Sequence, residues 1–246
     1  MRNLELAYPG KSEAERTAIV DGVFGSIARL LATFARFPQM NRKNISDWIR
    51  YEGLEHYLNA KKAGRGVLIP TAHLGAWELS AFAHALMTEP MHIMIRPLDN
   101  LRVDRLIEQR RQLSGNHLIG KWDSARAVLR ALQQNQAVGV LIDQNTSLEE
   151  GVFVNFFGTP ASANAAFAKI AARTGATVVP GFALWSAEEN GFVLRFYPAI
   201  AMTGDVQADT QRLHSFLEQV IRQHPDQWLW IHRRWKTRPP GEPPIY

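Results

Sequence analysis

The chain of 246 residues contains no cysteine. That removes a disulfide framework, a thiolate nucleophile and cysteine metal ligands, and it fits a reducing compartment. No uninterrupted apolar run approaches the roughly 20 residues needed to span a bilayer. The opening residues, MRNLELAYPGKSEAERTA, lack the apolar core of a signal peptide. The expectation is a chain that is soluble or lies on a membrane. Neither a GxSxG elbow nor an HExxH metal site occurs. Repeats, linkers and low-complexity tracts are also missing, so nothing divides residues 1–246 into more than one domain. Acidic residues are outnumbered, 23 against 28 Lys and Arg, for a formal charge of +5. The surplus points to an anionic partner: phosphate groups, an acidic protein or an anionic lipid surface. With 46% hydrophobic residues, the chain is ordinary globular material, long enough to bury a large core.

Periodicity predicts an α/β layered fold with a largely parallel central sheet flanked by helices. Ser12 and Glu15 form a capping-box pattern opening a helical segment at about 12–37. Val20, Phe24, Ile27, Leu31 and Phe34 form an apolar stripe along it, expected to face the core, with a helix resting in a bilayer interface as the rival reading. A catalytic-sized α/β core is expected at about 50–238. Within it, a buried strand at Gly66 to Pro70 leads to a helix over Trp77 to Met87, a strand in MHIMIRP and a basic helix from Asp99 to Leu113. A short strand at His117 to Ile119, a helix from Ser124 to Gln134 and a buried strand in AVGVLID complete the alternation. GVFVNFFGTPAS reads as an aromatic loop, in which Phe153, Phe156 and Phe157 either line a slot for an aliphatic chain or simply pack. An Ala-rich helix over Asn164 to Arg173, two neighbouring strands in TVVPGFALW and GFVLRFYPAI, and a helix from Val206 to Gln223 follow.

The chemistry-bearing stretch is GVLIPTAHLGAWE. His73 and Glu78 are five residues apart, about 140° on one ideal helix, so a single helix cannot pair them. If the strand ends near Thr71 and the helix begins near Ala76, a carboxylate in the first helical turn can fold back onto a loop imidazole. An imidazole beside a carboxylate suits general-base catalysis. The helix start adds free N–H groups for a developing negative charge. Arg96 and Asp143 also fall at strand ends, where ligands bind in open α/β sheets. At the other end, QWLWIHRRWKTRPPGEPPIY interleaves Trp228, Trp230 and Trp235 with His232, Arg233, Arg234, Lys236 and Arg238. That composition suits single-stranded nucleic acid or a phosphorylated lipid at a membrane interface equally well.

HLGAWE, IRPLDN, the Arg111 to Ser114 stretch, IDQN, GVFVNFFGTPA, ATVVP and WIHRRWKTRPPGE occur here in an order that resembles the lipid A biosynthesis acyltransferases, the late lauroyl and myristoyl transferases. The resemblance spans nearly the whole chain. It implies a glycerolipid acyltransferase-like fold and transfer of a fatty acyl group from acyl carrier protein to a hydroxyl of a lipid A precursor at the cytoplasmic face of the inner membrane. His73 is then the general base with Glu78 as its partner in the HxxxxE motif. Arg96, Arg111, Asp143 and Gln144 fall on substrate-binding positions, and Arg233, Arg234 and Lys236 are expected at phosphate or membrane. The implied partners are acyl carrier protein, a glycolipid acceptor and the membrane surface, with no metal, no cofactor and no nucleic acid. The same reaction on another glycolipid or a lysophospholipid is the nearest alternative; an inactive lipid or nucleic-acid binding module is the alternative of another class. Family members usually carry an N-terminal transmembrane helix before the segment in which this chain begins. The expectation is therefore either a truncated sequence or peripheral attachment through the first helix and the basic surface.

Overall fold

The structure is a computed structural model that describes residues 1–120 and 124–246. Two helices open the chain, the short α1 (Arg2–Ala7) and the long α2 (Glu13–Ala35). The Ser12–Glu15 capping box forms as the sequence predicts, each side chain meeting the other's backbone N–H. Then come β1 (Ile49–Glu52), α3 (Leu54–Lys62), β2 (Val67–Thr71), α4 (Trp77–Met87), β3 (His92–Met94), α5 (Leu101–Gln112) and β4 (His117–Ile119). They are followed by α6 (Ser124–Gln133), β5 (Ala137–Leu141), β6 (Gly151–Phe156), β7 (Thr159–Asn164) and α7 (Ala166–Thr174). The chain closes with β8 (Thr177–Val178), β9 (Gly181–Ser186), β10 (Gly191–Phe196) and α8 (Val206–Gln223).

The alternating middle of the chain builds a five-stranded sheet in the order β4-β3-β5-β2-β8, with every pairing parallel. Its two central strands carry side chains buried on both faces, which is why they read as continuous apolar runs rather than alternating ones. Ile69 and Ala137 pack with Phe82 and Met91 on the α4 side. Leu68 and Val138 pack with Val128 and Phe167 on the side of α6 and α7. A second sheet, β1-β10-β9, pairs β1 parallel and β9 antiparallel to β10.

Three expectations change. TVVPGFALW is two strands: Thr177–Val178 joins the parallel sheet and Gly181–Ser186 the antiparallel one. Pro180 between them has no N–H to donate, so one ladder cannot run through it. GVFVNFFGTPAS is a β-hairpin, β6 paired antiparallel with β7 around Phe157 and Gly158. Both turn residues have positive φ, 53° and 77°, the geometry that matches the twist of the flanking strands. Phe156 and Phe157 are core residues packed among Trp228, Trp230 and Trp235, so packing, and not an aliphatic slot, accounts for them. Lastly, α2 presents a rotated face to the core: Val20, Ile27 and Phe34 of the expected stripe pack against it as half-buried side chains, but they flank its buried centre. Ile19, Val23, Ser26, Leu30 and Thr33 are buried, whereas Phe24 and Leu31 of the expected stripe are 60% and 61% exposed. Close approach decides the face, since a Cβ on Gly22 would stand 2.5 Å from the Cβ of Asp226. The helix is long and apolar enough, by length and composition, to cross a membrane, and only 28% of its most apolar window is buried.

Candidate active site

His73 leaves β2 two residues after Thr71, and Asp143 leaves β5 two residues after Leu141. Those two strands are parallel neighbours with Thr71 opposite Leu141, and the pairing continues with Ile142 N–H to the Thr71 carbonyl at 3.0 Å. The register therefore delivers both residues side by side on one face, because side chains two apart share a face. The imidazole Nδ1 lies 3.0 Å from Asp143 Oδ1. Asp143 Oδ2 accepts from the His73 backbone N–H at 3.0 Å and from the Trp228 indole N–H at 2.8 Å.

Electrostatics fix the tautomer. Burial of Asp143 opposes its ionisation, but the charge and hydrogen bond of His73 and the Trp228 bond prevail and hold its pKa down at about 2. An ionised carboxylate only accepts, so Nδ1 carries the proton it shares with Asp143, and Nε2 keeps a free lone pair. For His73 itself, burial works against the imidazolium, yet the Asp143 charge and hydrogen bond, with a further contribution from the Glu78 charge, leave the pKa above its ordinary 6.5.

The expected contact between His73 and Glu78 is replaced by this one. Glu78 sits in the first turn of α4, but its oxygens accept from Arg111 of α5, at 2.8 Å from Nε and 2.5 Å from Nη2. The planar guanidinium fork matches both carboxylate oxygens, so this pairing outcompetes the imidazole. Glu78 acts on His73 through its charge.

Local sequence explains the loop. Gly75 has a φ of 62°, and a Cβ there would run into the Ala183 carbonyl. Ala76 N–H then donates to that carbonyl at 2.8 Å. No side chain caps α4, whose N-cap is Ala76, so first-turn N–H groups at Trp77 and Glu78 remain available beside the imidazole. The Trp77 ring stands edge-on to His73, centroids 5.2 Å apart.

The terminal segment is the loop's scaffold. Leu74 bridges antiparallel to Trp228, Leu229 N–H donates to the His73 carbonyl at 2.9 Å, and Gly75 N–H to the Gln227 carbonyl at 2.9 Å. Asn145 holds the same segment, exchanging bonds with Thr237 and donating its backbone N–H to His232 Nε2 at 2.8 Å. Trp228 and Trp235 are fully buried, which removes them from any exposed stacking platform. Arg234 corrects the expectation of a phosphate or membrane contact. It is completely buried, donates to the Ser162 carbonyl and lies over the Phe156 ring. Burial lowers its pKa to about 10. Arg233 and Lys236 are exposed.

His73, Glu78, Arg96, Arg111 and Gln144 line one cavity of about 800 Å³, and Asp143 stands behind His73. Arg233, Arg234 and Lys236 are not on its walls. The apolar part of the wall comes from Ile69, Phe82, Met91, Ile93 and Phe167. Gly139, in mid-strand β5, keeps that space open, since a Cβ there would come within 2.8 Å of the Met91 methyl. The cavity thus joins a polar, basic mouth to an apolar interior. Sequence reasoning missed Trp228 as the second donor to Asp143 and Asn145 as the tie to the tail. Their sequence separations, 85 and 92 residues, leave no local signal.

The whole-chain comparisons agree with one another. A family model described as bacterial lipid A biosynthesis acyltransferase matches residues 1–237. The chain is 29% identical to the lipid A biosynthesis lauroyltransferase of Escherichia coli K12 over 100% of its own length and 80% of that protein. It is 28% identical to the palmitoleoyltransferase of the same organism over the same shares. A lipid A biosynthesis acyltransferase of Haemophilus influenzae is 26% identical over 98% of this chain and 76% of that protein. Matched by that family model over nearly its whole length, the chain belongs to the bacterial lipid A biosynthesis acyltransferase family.

Proposed function

We propose that the protein is an O-acyltransferase that moves a fatty acyl group from the thioester of acyl carrier protein to a hydroxyl of a lipid A precursor. The observation that carries this reading is the His73–Asp143 pair, 3.0 Å apart, opening onto a cavity with a basic mouth and an apolar interior. His73 Nε2 takes the proton of the acceptor hydroxyl as its oxygen attacks the thioester carbonyl carbon. Asp143 holds the ring and stabilises the imidazolium that results. Negative charge on the former carbonyl oxygen is met by the first-turn N–H groups of α4. Collapse of the tetrahedral species forms the ester and expels the thiolate, which recovers the proton from His73. Transfer is direct, in a ternary complex.

The alkyl chain occupies the apolar part of the cavity, along Phe82, Met91 and Gly139. Arg96 at the exposed rim meets a phosphate of the acceptor, and Arg233 and Lys236 add positive charge to the surface that meets the acidic carrier protein or lipid phosphates. The reaction takes place at the cytoplasmic face of the inner membrane, where such an acceptor is embedded. The test is mass spectrometry of products after incubation with mixed acyl carrier protein thioesters and a lipid A precursor, alongside other glycolipid and lysophospholipid acceptors. The intact chain adds one acyl mass to the lipid A precursor. His73→Ala adds none while retaining acceptor binding; undiminished transfer by that variant sinks the mechanism, and transfer only to another acceptor sinks the acceptor assignment.

A further inference from the structure

Helix α5 is fastened by its ends rather than by a buried face. Every residue from Leu101 to Gln112 is exposed or half-buried. The Asn100 side chain caps the start, Arg111 clamps Glu78, and Arg110 donates to the carbonyls of Phe34 and Ala35 at 3.1 and 2.7 Å. Large aliphatic side chains face outward instead: Leu101 is 67% exposed, Leu106 50% and Val103 43%, with Leu113 at 55% just beyond the helix. At 100° per residue, Val103, Leu106, Ile107, Arg110 and Leu113 fall within an arc of about 120°. Arg102 and Arg105, both exposed, follow on one side of it, Arg102 at its edge and Arg105 about 80° further round, while Leu101 lies on the opposite side of the helix. Arg110, in the middle of the arc, reaches the C-terminal end of α2, whose own outward face carries the exposed Phe24 and Leu31. Leu98, 43% exposed, joins this surface to the cavity it also lines.

We infer that α5, together with the outer face of α2, is a docking surface for an anionic lipid bilayer, with α5 lying in the boundary between headgroups and acyl chains beside the cavity mouth. An aliphatic arc flanked on one side by the exposed Arg102 and Arg105 places the apolar side chains below the headgroups and those guanidinium groups among the phosphates. No aromatic residue stands on α5, whereas anchors of protein interfaces are enriched in Trp and Tyr. A soluble surface gains nothing from holding these leucines in water. This inference rests on the proposed reading that the acceptor is a membrane lipid, and it explains how that lipid reaches His73 without crossing water.

The test is flotation of the intact chain with phosphatidylcholine vesicles, with and without phosphatidylglycerol. Binding is expected to the anionic vesicles and to weaken with salt. The double variant Leu106→Glu, Leu113→Glu should lose on the order of tenfold in vesicle affinity while keeping its unfolding midpoint, since neither residue is buried. Because the chain has no cysteine, Leu106→Cys carrying an environment-sensitive fluorophore gives a second readout. Its emission should shift to the blue on anionic vesicles, and a label at Glu188→Cys in the β9–β10 turn should not. Unchanged vesicle affinity in the double variant overturns the inference, as does an unresponsive label at position 106. A label that responds to acyl carrier protein but not to vesicles also overturns it, in favour of a protein partner. Both readouts are taken without acyl donor, so a wrong acceptor would show as failed transfer with vesicle binding intact, and a wrong docking surface as the reverse.

Discussion

Two stretches of this chain are alike in composition and opposite in fate. The terminal segment from Trp228 to Arg238 and helix α5 each mix arginines with large apolar side chains. The first is drawn inside, with Trp228, Trp235 and Arg234 fully buried; the second buries nothing. The difference lies in what each can satisfy. Indole rings bring large area and a single N–H, and both fully buried rings find acceptors, Asp143 for Trp228 and the Phe156 carbonyl for Trp235. On α5 the aliphatic side chains have no facing surface, and two of its arginines are spent on tying the helix down. Basic and apolar composition therefore says nothing of location until the partners of the polar atoms are known. Rigidity follows burial: the segment that positions His73 is fixed from both ends, and the helix beside the cavity mouth is merely clipped.

The largest effect is expected where the terminal segment meets the His73 loop. Trp228→Ala removes a buried ring from a closely packed aromatic cluster and a donor from Asp143, which should cost about 3–5 kcal/mol of stability. Urea unfolding measures it, and a cost below about 1 kcal/mol would mean that the tail is no scaffold. Asp143→Asn comes next. If His73 is the base, its pKa, raised by Asp143, should set an acid limb of kcat/KM above the ordinary imidazole value in the intact protein. With the carboxylate gone, burial disfavours the imidazolium with much less opposition, so that limb should move below 6.5 while the rate falls by at least about 10²-fold. A pH profile that keeps its inflection would remove Asp143 as the positioning group for His73.

The fold was legible wherever periodicity was local and unbroken. The predicted bounds of α4, β4 and α8 coincide with the observed ones, and the alternating middle gives the parallel sheet. Where a residue contradicts its usual place, reading failed. The hairpin was hidden because Phe157 occupies a left-handed turn position usually filled by Asn, Asp or Gly, held there by its own burial and by the bond from its N–H to Glu218 at 2.6 Å. Strand β1 escaped because Arg50 and Glu52 interrupt its apolar character, their charges being met by Glu189 and Arg195 across the sheet. At the site, His73 was recognisable from its turn, and Asp143 from its place at a strand end. Their pairing depends on the register between two strands 70 residues apart, information that spacing within HxxxxE cannot carry. Glu78 was adjacent in sequence and so looked like the partner. Arg111, arriving on a separate helix, took both of its oxygens.

That exchange offers a finer probe of the mouth against the interior. Glu78 raises the His73 pKa and Arg111 lowers it, so Glu78→Gln should shift the acid limb of kcat/KM down and Arg111→Met should shift it up. Each change also costs about 1–3 kcal/mol, because the group left behind is largely out of water and loses a charged hydrogen bond. A double-mutant cycle should recover part of that cost. Shifts of the same sign in both variants would show that the pair acts by geometry rather than charge.

The smallest effect is expected on α5, and its smallness is the point. Leu106→Ala removes a side chain that is 50% exposed and contributes to no core cluster, so stability in solution should change by less than about 0.5 kcal/mol. If unfolding instead shows a loss of about 2 kcal/mol or more, typical of a buried leucine, α5 must be packed against something in solution, and the contrast with the buried tail collapses. If stability is unchanged yet transfer to a vesicle-embedded acceptor falls while transfer to a detergent-dispersed one does not, the leucine matters only where a bilayer is present. The comparison then sharpens into a division of labour. Buried tryptophans hold the base in place, and exposed leucines bring the lipid to it.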